Sequence, residues 1–277
     1  MRTLVVVVLC VAAVCLSTAC QRQRPVVDPA NVAFGYTDDT GSKLLTLADD
    51  KSNLPIDVER AKSIVAAVCS EGREFPIRYV QFQKHTAASN FRQSARNFAN
   101  DEGHLFEFLQ GHAQPDDTCL LVPAGYLQAN PISANEVPNA ELAKESVSRI
   151  EKEKARSVKT SRLLHRHGAG QEVATVEFVP MPDSLLGGLV LVEPTRLSFF
   201  DMPANLKERE HGSCWRVDDG CVFGHDGMNV PAVLGEAGRQ LVFFTTQGFE
   251  GQAIVLFQAK DGKLVALRRA YRYQAAV

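Results

Sequence analysis

Leu4 to Leu16 form one unbroken apolar stretch, and what that stretch does decides the chemistry open to the rest of the chain. It is too short for a membrane-spanning helix, which needs about twenty apolar residues, but it suits the apolar centre of an export signal. Arg2 supplies a positive charge before it, and Ser17-Thr18-Ala19-Cys20 brings small residues up to a cysteine. Residues 1–19 are therefore expected to be a signal peptide. No later stretch approaches this length of apolar residues. A domain exported this way folds in an oxidising compartment, where cysteines pair.

The chain has seven cysteines, of which Cys10 and Cys15 leave with the signal. Five remain, an odd number. Ser17-Thr18-Ala19-Cys20 resembles the lipobox of bacterial lipoproteins, with Ser17 where that motif usually has Leu. The resemblance implies that Cys20 is the lipidation site, carrying a diacylglyceryl group and palmitate and serving as the mature N-terminus. The partner it implies is a membrane, reached through that lipid from the periplasmic side of the cell envelope. Gln21, in place of an aspartate, implies the outer membrane. Lipidation of Cys20 leaves Cys69, Cys119, Cys214 and Cys221, enough for two disulfides in three connectivities. Cys69–Cys119 and Cys214–Cys221 are the favoured pairs, because the second is close in sequence and falls in one hairpin. The first would close a loop of about fifty residues, a constraint of roughly 3–4 kcal/mol on the unfolded chain.

Removing residues 1–19 from 277 leaves 258, with 29 basic residues (Arg2 being lost from 30) against 32 acidic. A chain of that length can bury roughly 70–75% of its unfolded surface. Its near-neutral balance gives no electrostatic footprint for nucleic acid. Residues 20–33, with Pro25 and Pro29, read as a tether, and 34–277 as an α+β globular domain with a subdivision near 130–139. Phe34, Tyr36 and the Asp38-to-Gly41 turn open a hairpin. A helix is expected from Asp57 to about Ser70, with Asp57 as N-cap and Val58, Ala61, Ile64, Val65 and Val68 on one face. Ile77 to Gln83 reads as a strand. From Thr86 to Leu109 the spacing is again helical, Cys119 to Val122 is a short buried strand, and a long charged helix is expected over 140–164. Beyond Gly170 the pattern turns to strands: 173–179, 189–192, 197–200, 241–245, 253–257 and 264–267. Asp261-Gly262 is the strongest hairpin signal. The fold class that follows is α+β: helices in the first half and one long charged helix, then a predominantly antiparallel sheet.

Catalytic signals are sparse. Arg166-His167-Gly168 with Gly224-His225-Asp226 resembles the two signatures of the histidine phosphatases, in which the histidine accepts phosphate and the arginine binds its oxygens. The context departs from that family, because the first string follows a charged helix and only 58 residues separate His167 from His225. Metal binding is a second reading, through His165 and His167 or through His104, Glu107 and His112. Neither group has the HExxH or paired Cys-x-x-Cys spacing that converges ligands, so no metal and no cofactor is expected. There is no G-x-S-x-G elbow and no S-x-x-K. The carboxylate pairs lie in turn-like sequence, where Asp caps backbone groups. Cys214 to Cys221 is more informative: it encloses Trp215, the only tryptophan, and Arg216. A stapled loop has little entropy to lose on binding, and Trp with Arg is the composition of interface anchors. The sequence thus reads as a non-catalytic envelope lipoprotein binding a protein or envelope component through Trp215 and Arg216, in one form an immunity or inhibitor protein. The alternative is a periplasmic hydrolase assembled from Arg166, His167, His225 and Asp226.

Overall fold

A computed structural model describes residues 27–48, 55–135, 141–167, 170–182, 184–204, 213–215 and 219–274. Cys20, the signal and Arg216 lie outside them, as do Gly168 and residues 136–140. The fold is mostly β, 49% strand against 15% helix, which overturns the α+β expectation.

Six antiparallel strands close a first barrel: β1 (Ala33–Thr37), β2 (Lys43–Thr46), β3 (Ile64–Val68), β4 (Glu74–Gln83), β5 (Gly103–Phe108) and β6 (Thr118–Pro123), in the order β1-β2-β5-β4-β3-β6. Its interior is filled by Leu44, Ala67, Phe106 and Leu121, with Cys69 and Cys119 bonded to each other among them. Short helix α1 (Val58–Ser63) packs into the same cluster through Ala61.

The second sheet has nine strands: β7 (Ile132–Ser133), β8 (Val158–His167), β9 (Gln171–Phe178), β10 (Leu185–Val192), β11 (Leu197–Ala204), β12 (Met228–Leu234), β13 (Leu241–Gln247), β14 (Gly251–Lys260) and β15 (Lys263–Tyr273). Their order is β7-β12-β13-β14-β15-β11-β10-β9-β8, and only β11 and β15 run parallel. The sheet curls until β8 comes alongside β12. Val173, Leu191, Phe244 and Phe257 meet inside the curl. On its outside, Phe243 and Leu256 meet Phe34 and Tyr36 of the first barrel in a shared core, with the Phe34 and Phe243 rings stacked 5.9 Å apart. Val27 already packs against that core. Helix α3 (Lys144–Lys154) covers β8 to β10 with Ile150 against Phe178 and Val190. Short helix α2 (Tyr126–Ala129) links the two sheets.

The three long helices expected from spacing are corrected for separate reasons. Asp57 does cap α1, accepting from the Arg60 amide at 2.8 Å, but the helix ends at Ser63. Ile64, Ala66 and Val68 also satisfy a period of two, and β3 places them between β4 and β6, where Cys69 reaches Cys119. Over Thr86 to Leu109 the only helical turn is a 3-10 segment, Ala95–Asn100; Leu105 lies on β5, which pairs with β2 and β4. The charged helix stops at Lys154 because Ala155 adopts a left-handed conformation (φ 48), and β8 follows. Its later bases lie on β8 and pair there, Lys159 with Glu177 on β9 and Arg162 with Asp226 in the turn before β12. Asp261 and Gly262 both take positive φ (49 and 74), as the hairpin turn between β14 and β15 requires.

Candidate functional site

The Cys214–Cys221 disulfide holds a plug against the inner face of the curled sheet. Within it the Asp219 carboxylate accepts from the amides of Cys214, Trp215 and Cys221 at 3.0, 2.7 and 2.8 Å, closing the loop on itself. Trp215 Nε1 donates to the Met202 carbonyl on β11 at 2.8 Å. Its ring meets Phe223 edge to face at 5.3 Å, and Phe223 meets His225 at 4.9 Å. Phe223 lies flat on β10 because residue 187 is glycine: a Cβ there would stand 2.2 Å from the ring. Trp215 therefore continues a row of rings leading inward, while Val222 beside it is 65% exposed.

His225 ties the plug to the edge of the sheet. Its Nδ1 is 2.8 Å from Thr175 Oγ1 on β9 and its Nε2 2.9 Å from Thr160 Oγ1 on β8. A neutral imidazole has one donor and one acceptor, so one threonine donates to it and the other accepts. Burial lowers the His225 pKa below its ordinary value, opposed by nearby Glu177. With both nitrogens occupied the ring acts as a strut, and the neutral form fits it. Glu177 accepts from Lys159 Nζ at 2.8 Å and Thr160 Oγ1 at 3.1 Å, and Asp226 pairs with Arg162.

The histidine-phosphatase residues do not come together. Arg166 gives its Nε and Nη2 to Glu172, a carboxylate buried beneath α3 that also accepts from Ser146. His167 Nδ1 lies 3.1 Å from the Ala134 carbonyl. His225 instead meets β8 at Thr160, seven residues away, roughly 23 Å at the rise of an extended strand. The metal-binding groups are dispersed as well. His104 is buried inside the first barrel with Nε2 2.6 Å from the Ile56 carbonyl, Glu107 pairs with Arg78 outside it, and His112 is exposed. His165 is buried on the inner face of β8. Among the described residues the one convergence of metal-ligand types is Cys69, Asp117 and Cys119. Its two sulfurs are joined in a disulfide, so no thiolate is left to bind a metal.

A feature missed in the sequence lies next to the plug. Where β8 comes alongside β12, a cleft of about 300 Å³ opens between Arg162 and Leu164 on one side and Asn229 and Pro231 on the other. The first barrel walls it with Glu71 and Gln114. Glu71 takes a left-handed backbone (φ 62), uncommon for a residue with a Cβ. The preceding Ser70 fixes that turn, its amide and hydroxyl donating to Asp117 at 3.0 and 2.6 Å, next to the Cys69–Cys119 bond. Arg162, through Asp226, joins cleft and plug into one surface. Pro231 within an apolar run was the available signal, since proline in a sheet marks an edge.

The chain matches no protein-family model, no curated protein and no solved structure. Among the described residues no helix is long and apolar enough to cross a membrane.

Proposed function

We propose that this chain is a non-catalytic lipoprotein of the bacterial cell envelope that binds a protein partner through the plug end of its curled second sheet. The observation that carries the reading is the construction of the plug. A disulfide, three amides on Asp219 and the Trp215–Met202 bond hold a half-buried amphipathic ring and the loop that carries it with their conformational entropy already spent. Val222, next to Cys221 of the same loop, is 65% exposed. An aromatic anchor beside an exposed aliphatic side chain is the composition of an interface centre. Anchoring through Cys20 on the periplasmic side, in the outer membrane by the Gln21 criterion, is supported by the cysteines: all four that follow Cys20 are paired. An immunity or inhibitor protein guarding the envelope is one form such a binder takes.

Two experiments test this. Mass spectrometry of the mature N-terminus should find an acylated Cys20; an unmodified cysteine removes the anchor. A photo-crosslinking residue at position 222 should give one discrete adduct in intact cells, lost when Trp215→Ala removes the anchor. No adduct in the envelope, or one indifferent to Trp215, refutes binding at the plug.

A further inference from the structure

At the end of the curled sheet opposite the plug, two turns and a helix gather bases around one hollow. Residues 193–196 join β10 to β11, and Asp261 and Gly262 join β14 to β15. Helix α3 brings Arg149, Lys152 and Glu153 up to both turns, and Thr195, Arg196 and Gly262 face them across a cleft of about 550 Å³. Both arginines are fixed by acceptors on one residue. Arg149 Nη2 donates to the Glu193 carbonyl at 2.8 Å, and Arg196 donates from Nε and Nη2 to the Glu193 carboxylate at 3.0 and 2.8 Å. That carboxylate is buried and also accepts from the Gly238 amide at 2.8 Å, which ties in the turn between β12 and β13.

The fixing leaves donors over. Among the described residues each guanidinium keeps an Nη1 with no acceptor, and Lys152, Lys260 and Lys263 have no ion pair. Five bases here (Arg149, Lys152, Arg196, Lys260 and Lys263) meet Glu153, Asp261 and a Glu193 already committed to Arg196. The patch is therefore positive in a mature chain that carries more acids than bases. Planar forks held in place with N–H groups to spare, beside a hydroxyl and ammonium groups, are the chemistry that recognises phosphate oxygens.

The described chain begins at this same end. The Val32 carbonyl accepts from Arg268 on β15 at 3.4 Å, and Lys263 stands five residues earlier on that strand, roughly 17 Å away at the rise of an extended strand. The Pro29 carbonyl accepts from Tyr126 on α2 at 2.9 Å, and the Pro131 carbonyl just beyond α2 accepts from the Gly235 amide at 2.8 Å, where β12 ends. Residues 20–26 can span at most about 25 Å, so lipid on Cys20 holds this end of the sheet nearest the bilayer. The plug sits at the other end: Trp215 bonds to Met202 late in β11, whereas the cleft takes Leu197 at its start.

We infer that this cleft binds the phosphate of an anionic phospholipid headgroup, seating the turns on the membrane and pointing the plug away from it. The inference rests on the lipoprotein reading for its occupant and deepens it: Cys20 anchors the chain, and the cleft orients it. Near an anionic surface each base favours partitioning roughly fivefold, so a few unpaired lysines suffice to orient a domain already held by lipid.

Residues 20–277 with Cys20→Ser lack the anchor and keep the cleft, so membrane contact can be read by itself. This protein should cosediment about tenfold better with vesicles of phosphatidylglycerol and phosphatidylcholine in equal parts than with phosphatidylcholine alone. Lys152→Glu with Lys263→Glu changes two exposed side chains and should remove that preference, whereas Lys43→Glu with Lys84→Glu, the same charge change on the first barrel, should preserve it. Arg149→Lys keeps the charge without the fork and should weaken binding about threefold, with circular dichroism and Trp215 emission confirming the fold. Bound vesicles should slow amide exchange in residues 193–196 and 260–263 and leave 219–223 unchanged. Equal partitioning to both vesicles overturns the inference, as do equal losses in the two reversals or protection at the plug instead. Inorganic phosphate that protects the turns as well as the vesicles do assigns the cleft to free phosphate and overturns the lipid. An unmodified Cys20 with vesicle binding intact discards the anchor and keeps the cleft; an acylated Cys20 on a chain indifferent to phosphatidylglycerol does the reverse.

Discussion

Arg272, on β15, is 2% exposed and joins the two sheets, which makes its removal the sharpest test of how the molecule is held together. Its Nε donates to the Gln93 carbonyl at 2.7 Å, and Nη1 donates to the Asp116 carbonyl at 2.8 Å and Thr118 Oγ1 at 3.2 Å. Nη2 pairs with the Asp116 carboxylate, and the guanidinium lies 4.8 Å over the ring of Tyr36. Arg272→Met keeps the aliphatic stem and strands these acceptors. Breaking a buried pair costs about 3–5 kcal/mol. Asp116 is 42% exposed and regains water, so the lower end, about 3 kcal/mol, applies. For a chain of this size that lowers Tm by roughly 6–12 °C. Arg272→Lys keeps the charge but not the planar fork, and should lose about half as much. Urea unfolding followed by circular dichroism and by Trp215 emission would measure both, the second probe reporting on the plug of the curled sheet. A Met variant within about 0.5 kcal/mol of the parent, the range of an ordinary surface change, would refute the reasoning.

The plug gives three further predictions. Because burial holds the His225 pKa below 6.5, the unfolded chain takes up a proton first as pH falls. Its contribution is therefore complete above about pH 7.5, is lost as pH drops through 6.5, and levels off below the folded-state value; urea midpoints for the parent and His225→Gln should converge in acid. Replacing Cys214 and Cys221 by serine should cost about 2.5 kcal/mol from chain entropy and shift Trp215 emission to the red, while the same change at Cys69 and Cys119 should cost about 4 kcal/mol, both read as urea midpoints. Gly187→Ala drives a methyl group into the Phe223 ring and should cost about 1–3 kcal/mol, with the red shift again reporting a displaced plug.

The fold was legible where one periodicity ruled a segment and misleading where two coexisted. Val173 to Val179 alternates and Ala253 to Phe257 is a short continuous apolar run, and strands β9 and β14 lie there. In Val58 to Val68 the apolar residues fit helical spacing throughout and strand spacing over the last five, so only tertiary pairing with β4 and β6 decides. The charged segment is a sharper case. Lys152, Lys154, Arg156, Lys159 and Arg162 look continuous in charge, yet the first two belong to a helix and the last two to an edge strand. Charge carries no period. The break at Ala155 is a left-handed residue other than glycine or asparagine, which composition does not announce. β12 was missed altogether because Pro231 interrupts MNVPAVL, a disqualification that holds for central strands and not for edges.

That exception also explains why half of the candidate site was invisible. The plug announced itself, since Cys214 and Cys221 stand seven residues apart around the one tryptophan. Its inward anchors did not: Phe223 needs the missing side chain of Gly187 on β10, and His225 needs hydroxyls from Thr160 and Thr175 on β8 and β9. The cleft is legible only after the sheet has curled. Its lining comes from five separate stretches of chain between Ser70 and Pro231, each ordinary taken alone. A sequence pattern reports the face of a strand, because side chains alternate; it does not report the edge, because edge bonding belongs to the backbone that every residue shares. Edge bonding is therefore the feature least expressed in residue type, and edge-breaking residues such as Pro231 are what mark it.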